Sequence, residues 1–298
     1  MKRILVLGSI NIDHSYELER IVRPGETVAS RAYRTAWGGK GLNQAIALAK
    51  AGAETALAAQ LSAGDRPGLE KFCAPFGLDL SKVRGLDCPS GHAIIQVESS
   101  GQNSIIIAAG ANGRMEDETI SAVDDYGPGD ILLLQNEVDR MPEIIRRGKE
   151  QGMTVALNPS PCSREMLDWP LELVDIFILN ETEGQFISGA QEPEEMLERL
   201  SEKFPRAAVV LTLGSQGSMY RRGMERYSVP AEKVEAVDTT AAGDTYTGYF
   251  LSGLLGGKDV RSSMELATRA AAITVSRPGA AGSIPLAGEL EQAENSLE

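Results

Sequence analysis

The run Ile4-Leu5-Val6-Leu7-Gly8-Ser9-Ile10-Asn11-Ile12-Asp13 (ILVLGSINID) decides how the chain is read. Four adjacent apolar residues stop at a glycine, and polar residues follow at once. Such a run reads as a buried first strand rather than a helix. The same pattern returns at residues 131–134 (ILLL), 154–157 (TVAL), 176–179 (IFIL) and 208–211 (AVVL). Helix-like stretches lie between them at 41–51, 142–151 and 193–203. Strands alternating with helices predict an α/β fold, a doubly wound and mostly parallel sheet. In such sheets ligands sit beyond the carboxyl ends of the strands. Here those ends carry Asn11 and Asp13, Gln135-Asn136-Glu137, Asn158-Pro159, Asn180-Glu181 and Thr212-Leu213-Gly214.

Two segments break the alternation. Residues 14–36 alternate loosely around Pro24-Gly25, and residues 92–108 read as a hairpin around Ser99-Ser100-Gly101-Gln102. Together, over about 14–36 and 91–108, they predict a small extra sheet that serves as a lid. The alternative is two edge hairpins without function. No repeat or linker interrupts the 298 residues, which are read as one domain, 1–298, with the lid inserted.

Composition narrows the function. There are 29 basic and 42 acidic residues, a net charge of −13, which disfavours nucleic acid and anionic membrane as partners. Three scattered cysteines suggest free thiols in a reducing compartment. The first apolar run is too short for a signal peptide, and no stretch approaches the roughly 18 apolar residues of a membrane span. A soluble, cytoplasmic protein is expected.

Residues 237–248 (VDTTAAGDTYTG) carry the sharpest chemistry. Small residues at Ala241, Ala242 and Gly243 let the chain turn and present free N–H groups, and the apolar run after them reads as a buried helix with its positive end at the turn. That combination is an anion site, suited to a transferring phosphoryl group. Asp244 is itself negative, so it makes poor sense as a phosphate ligand and good sense as a general base. The competing reading makes it a helix N-cap.

Gly38-Gly39-Lys40-Gly41 opens another apolar helix, with Lys40 and Asn43 offering donors to a hydroxyl-rich ligand; its spacing is not that of a Walker A loop. Asn11 and Asp13 alternate on an extended segment and so share a face, and Glu137 adds an acceptor. Asn180 and Glu183 share a helical face and could hold Mg²⁺ through waters, or form a capping box, or both. Thr212-Leu213-Gly214-Ser215-Gln216-Gly217 is a glycine turn between strands that could admit a nucleotide. His14 and His92 lack metal-ligand spacing and are assigned to structure or lid.

Taken in order, GSINIDH (8–14), PGETV (24–28), GGKGLNQA (38–45), ALNPSP (156–161), NETE (180–183), TLGSQG (212–217) and VDTTAAGDTYTG (237–248) resemble the ribokinase-type (PfkB) carbohydrate kinases across nearly the whole chain. The resemblance implies a three-layer α/β/α sandwich with a β lid, dimerised through the lid. The implied reaction is transfer of phosphate from ATP to the 5-hydroxyl of D-ribose. Asp244 would be the base, and the amides of Ala241, Ala242 and Gly243 the anion hole. Asn11, Asp13, Gly39, Lys40, Asn43 and Glu137 would contact the sugar, with Asn180, Thr212, Gly214, Gly217 and Gly243 on the nucleotide side. Glu183 would help organise Mg²⁺. An activating K⁺ would sit among Asp238, Thr240, Thr274, Arg277, Gly279 and Ser283. Another furanose or nucleoside kinase, such as a deoxyribokinase, is the alternative enzyme, and a non-catalytic sugar sensor the alternative class. Residues 61–68, Pro278 and Leu42 depart from the family pattern, and Leu42 is expected to reshape the pocket floor.

Overall fold

The computed structural model describes residues 2–99 and 102–290. The amino-terminal half holds β1 (Ile4–Leu7), β2 (Asn11–Leu18), β3 (Ala32–Gly38), α1 (Lys40–Lys50), β4 (Thr55–Ser62), α2 (Arg66–Cys73), β5 (Val83–Leu86), β6 (Gly91–Glu98), β7 (Asn103–Ala108) and α3 (Asp117–Ile120). After these come β8 (Ile131–Gln135), α4 (Met141–Glu150), β9 (Thr154–Asn158), β10 (Ile176–Asn180), α5 (Glu181–Ser188) and α6 (Pro193–Lys203). The chain continues through β11 (Ala208–Thr212), β12 (Ser218–Arg222), β13 (Glu225–Val229), α7 (Ala242–Leu255) and α8 (Val260–Val275).

The large sheet runs β13-β12-β11-β10-β9-β8-β1-β4-β5. Its strands are parallel from β11 through β5, and β12 and β13 close one edge antiparallel. Alternate residues of one strand feed opposite layers. Ile4 and Val6 join the cluster of Leu42, Ile46, Tyr249 and Phe250 under α1, α7 and α8. Leu5 and Leu7 join the opposite cluster with Ile144, Ile145, Leu197 and Leu200 under α4 and α6. This two-sided burial is why the parallel strands read as unbroken apolar runs. Truncating a fully buried member such as Leu5 or Phe250 to Ala costs about 2–5 kcal/mol.

The second sheet, in order β3-β2-β6-β7, is the expected lid. β2 pairs antiparallel with β3 and parallel with β6, and β6 pairs antiparallel with β7. The turn residues Ser100 and Gly101 lie outside the described residues. The lid begins earlier than residue 14 and ends later than 36, because pairing runs from Asn11↔Gly38 to Glu17↔Ala32. Asn11 and Asp13 therefore ride on the lid's own strand. Ile105, Ile106 and Ile107 are each more than half exposed, an apolar surface left uncovered among the described residues.

Candidate active site

The end of β1 fixes the first half of the site. α1 starts directly over it, and a Cβ on Gly41 would lie 2.4 Å from Ser9 N. Only glycine lets the helix come so close. Gly39 is its N-cap at φ 94, a left-handed position that glycine adopts freely. Lys40 N–H donates to Glu137 Oε2 at 2.8 Å, and the Ser9 hydroxyl donates to the same oxygen. Glu137, just beyond β8, is thereby held against the start of α1.

Burial raises the Glu137 carboxyl, partly offset by those donors. Burial, and then the charge of Glu137, push Asp13 up to about 6. The Lys40 ammonium is pulled down by burial, yet Asp244, Glu137 and Glu183 outweigh that and raise it. One half-buried cation thus stands among three carboxylates, which keeps it charged.

α7 supplies the second half. Its N-cap is Ala241, at φ 61, a strained value for alanine that turns the chain into the helix. No side chain caps α7, so the N-cap reading of Asp244 fails: the residue lies inside the first turn. Its carboxylate points across to α1, where Asn43 Nδ2 donates to Oδ2 at 3.1 Å and Gln44 Nε2 to Oδ1 at 2.9 Å. Asp244 is only 7% exposed. Of the proposed anion-hole amides, Ala242 N–H leans on Thr239 O at 3.3 Å, while those of Ala241 and Gly243 have no protein partner among the described residues. A Cβ added to Gly243 would meet nothing within 4 Å, so the space beside that amide is open cleft.

Two cavities meet here. One, of about 210 Å³, is lined by Lys40, Asn180, Glu183, Gly243 and Asp244 among others. The second, of about 330 Å³, lies between Thr212, Gly214 and Gly217 on one side and α8 on the other. Thr212, Thr239, Ala242 and Gly243 border both, so the two adjoin. Ala231, Val234, Ala271 and Val275 give the second cavity its apolar walls. Sequence reasoning missed those walls, since isolated alanines and valines carry no motif.

Asn180 and Glu183 form a full capping box: Glu183 N–H donates to Asn180 Oδ1, and Glu183 accepts from Asn180 N and Nδ2, each at 2.9 Å. The carboxylate therefore has both oxygens engaged. Asp238 accepts from Thr240 N and Gly279 N at 2.9 Å each, tying two loops together. Burial raises its carboxyl, but these hydrogen bonds outweigh burial and lower it. The other expected cation residues are occupied elsewhere. Arg277 pairs with Glu289 at 2.6 Å, the Thr274 hydroxyl bonds Ala270 O and Thr245, and the Ser283 hydroxyl donates to Ala280 O. What these residues have left for a cation is their backbone carbonyls and the lone pairs of the Thr274 and Ser283 hydroxyls.

Leu42 belongs to the core, fully buried, and so does not form the pocket floor as expected. Gln44 was overlooked, and Gln135 and Asn158 were read only as polar strand ends without a role. Gln44 Nε2 also donates to Asn158 Oδ1 at 3.0 Å, and Gln135 Nε2 donates to Gln44 Oε1 at 2.7 Å. The signal was present in the adjacent Asn43-Gln44 pair, but only Asn43 was read as a ligand.

Residues 1–287 match the profile of the pfkB family of carbohydrate kinases. The chain is 34% identical over 294 residues to a ribokinase of Haemophilus influenzae, covering 95% of each. It is 31% identical to a deoxyribokinase of Salmonella typhi, again over 95% of each. A ribokinase of Arabidopsis thaliana solved with ribose and ATP superposes with a TM-score of 0.86 at 30% identity, covering 98% of both chains.

Proposed function

The chain belongs to the pfkB family of carbohydrate kinases, and from that premise we propose that it phosphorylates the 5-hydroxyl of D-ribose at the expense of ATP. The observation that carries this is the placement of Asp244. It is a buried carboxylate lining the smaller cavity, next to Ala242 and Gly243 that border both, with free amides at the start of α7 beside it and amide donors of α1 orienting it.

In this reading Asp244 takes the proton as the sugar hydroxyl attacks the terminal phosphorus of ATP, the bond from that phosphorus to the bridging oxygen breaks, and ADP leaves. The amides of Ala241 and Gly243, the positive end of α7 and Lys40 stabilise the charge that spreads over the transferring oxygens. Asn11, Asp13, Gly39, Lys40, Asn43 and Glu137 orient the sugar. Asn43 Oδ1 is buried without a partner among the described residues. Asn180, Thr212, Gly214, Gly217 and Gly243 face the nucleotide, whose base fits between the apolar walls.

Mg²⁺ fits as an ion held mainly by phosphate oxygens and water. No group of three metal-ligating side chains occurs among the described residues, and Glu183, already engaged by Asn180, would meet it through water. Bound there, Mg²⁺ neutralises phosphate charge. K⁺ fits the loop pair closed by Asp238, beyond the negative end of α8, as a structural ion bracing the turn before Ala241. The exposed isoleucines of the lid support a homodimer formed through it, and sedimentation at micromolar concentration should give twice the mass of the chain. Among the described residues no helix is long and apolar enough to cross a membrane, and the three free cysteines agree with a cytoplasmic setting.

A coupled ADP-release assay across ribose, 2-deoxyribose, fructose, adenosine and pseudouridine tests the reading. Ribose should give the highest kcat/KM. Preference for 2-deoxyribose would favour a deoxyribokinase, and turnover of none would favour a sugar sensor.

A further inference from the structure

Three crossings between the main body and the lid meet at one side chain, Asn112. The chain enters the lid at Ile10-Asn11, returns into it at Gly91, and leaves it after β7 on the short turn that carries Asn112. Asn112 is 2% exposed and has every polar atom engaged. Its Oδ1 accepts from Ile10 N–H at 3.1 Å, and its Nδ2 donates to Ile10 O at 3.2 Å. A backbone N–H can only donate and a carbonyl can only accept, so this two-point pairing admits one orientation of the Asn112 amide. The second Nδ2 proton then points to Asn11, whose Oδ1 accepts it at 2.8 Å.

The consequence falls on Asn11. With its oxygen committed to Asn112, its nitrogen is the end left over, and Nδ2 donates to nothing among the described residues. A Cβ at Gly91 would lie 2.1 Å from Asn112 Nδ2 and 2.5 Å from Asn11 Oδ1, so the neighbouring strand leaves room for this amide pair only as glycine. Resting on the sugar reading of the site, we infer that Asn112 is a positioning residue. It holds Asn11 with its nitrogen toward the sugar, so the pocket presents a donor there and requires a hydroxyl lone pair from the substrate. Asp13, next on the same face, presents an acceptor. The two together read a pair of hydroxyls with defined polarity, and the reading depends on the lid root being paired through Asn112.

The test compares kcat and KM for ribose, 2-deoxyribose and ATP in wild type, Asn112→Asp, Asn112→Leu, Asn11→Ala and Asn11→Ala with Asn112→Leu. Loss of the oriented donor should raise the ribose KM on the order of tenfold in either Asn112 variant, leaving the ATP KM and saturated kcat within a few-fold. The ribose-over-2-deoxyribose preference should fall. In the Asn11→Ala background, Asn112→Leu should add less than twofold, because the two residues act through one contact. Asn11→Asp leaves the Ile10–Asn112 pairing intact, so it reports even if Asn112 variants fold poorly, and it should raise the ribose KM similarly. Additive effects of the two sites, or an Asn11→Asp enzyme that binds ribose as wild type does, would overturn the role of Asn112 while leaving the ribose reading in place. A wild-type enzyme inert toward ribose would overturn both.

Discussion

Gln44 Nε2 donates to Asp244 Oδ1 at 2.9 Å, across the seam between α1 and α7. Gln44 is wholly buried, and its other contacts run to Asn158 on β9 and Gln135 on β8. The orientation of the proposed base is thus set by the central sheet, through one amide. Asn43 supports the second carboxylate oxygen from the same helix turn. A carboxylate held once at each oxygen is fixed in orientation and keeps a lone pair free on each to take a proton, which is what a positioned base needs.

Gln44→Leu removes this brace while keeping similar volume. It should lower kcat by one to two orders of magnitude, roughly 1.4–2.7 kcal/mol of transition-state stabilisation, with the ribose KM changed far less. It should also lower the melting temperature, because Gln135 Nε2 loses its acceptor and Asn158 Oδ1 a donor. Steady-state kinetics and thermal unfolding read the two effects separately. Wild-type kcat in a variant whose melting temperature alone has fallen would make Gln44 purely structural.

Asp13 gives a prediction with a definite sign. Its carboxyl is raised from 3.8 to about 6, first by burial and then by Glu137. A folded pKa above the unfolded one means the charged form is penalised in the fold. The penalty is absent below about pH 4, grows through the interval to about 6, and is complete above it. Asp13→Asn, neutral at every pH, should therefore melt a few degrees above wild type at pH 8 and close to it at pH 4, while binding ribose less tightly. Equal melting differences at both pH values would contradict the raised carboxyl. A larger gain at pH 8 than at pH 4 would mean that the unfavourable charge is kept for the sugar, a stability cost at a functional position.

The cation loop is tested by ion replacement. K⁺ should raise kcat over a buffer free of both K⁺ and Na⁺, and Asp238→Ala should abolish that response, because Asp238 joins the two loops through Thr240 and Gly279. Activity indifferent to K⁺ would remove the ion from the account.

Much of the architecture was legible because burial on both faces writes itself as unbroken apolar runs. β1 and the 193–203 helix were read to the residue, and β8, β9, β10 and β11 to within one. β4, TALAAQLS, escaped because its alanines and Thr-Gln-Ser content look neither apolar nor alternating, although nearly every residue in it is buried. α8 escaped because serines, threonines and alanines on its face blur the helical stripe. In the site, residues that touch a ligand sit in motifs, whereas those that orient them answer to long-range geometry. Asn112 lies 101 residues from Asn11, and Gln44 lies 200 from Asp244, so no local pattern could pair them. The two readings of Asp244 were separated only by the fold, which places it inside α7 with its carboxylate turned to α1.

The central claim is that Asp244 is the base, and Asp244→Asn tests it most directly. The amide keeps the shape but cannot take a proton at neutral pH, so ribose binding measured by calorimetry should persist while kcat falls by about 10³-fold or more. A variant that binds ribose and retains kcat within tenfold of wild type would contradict the account.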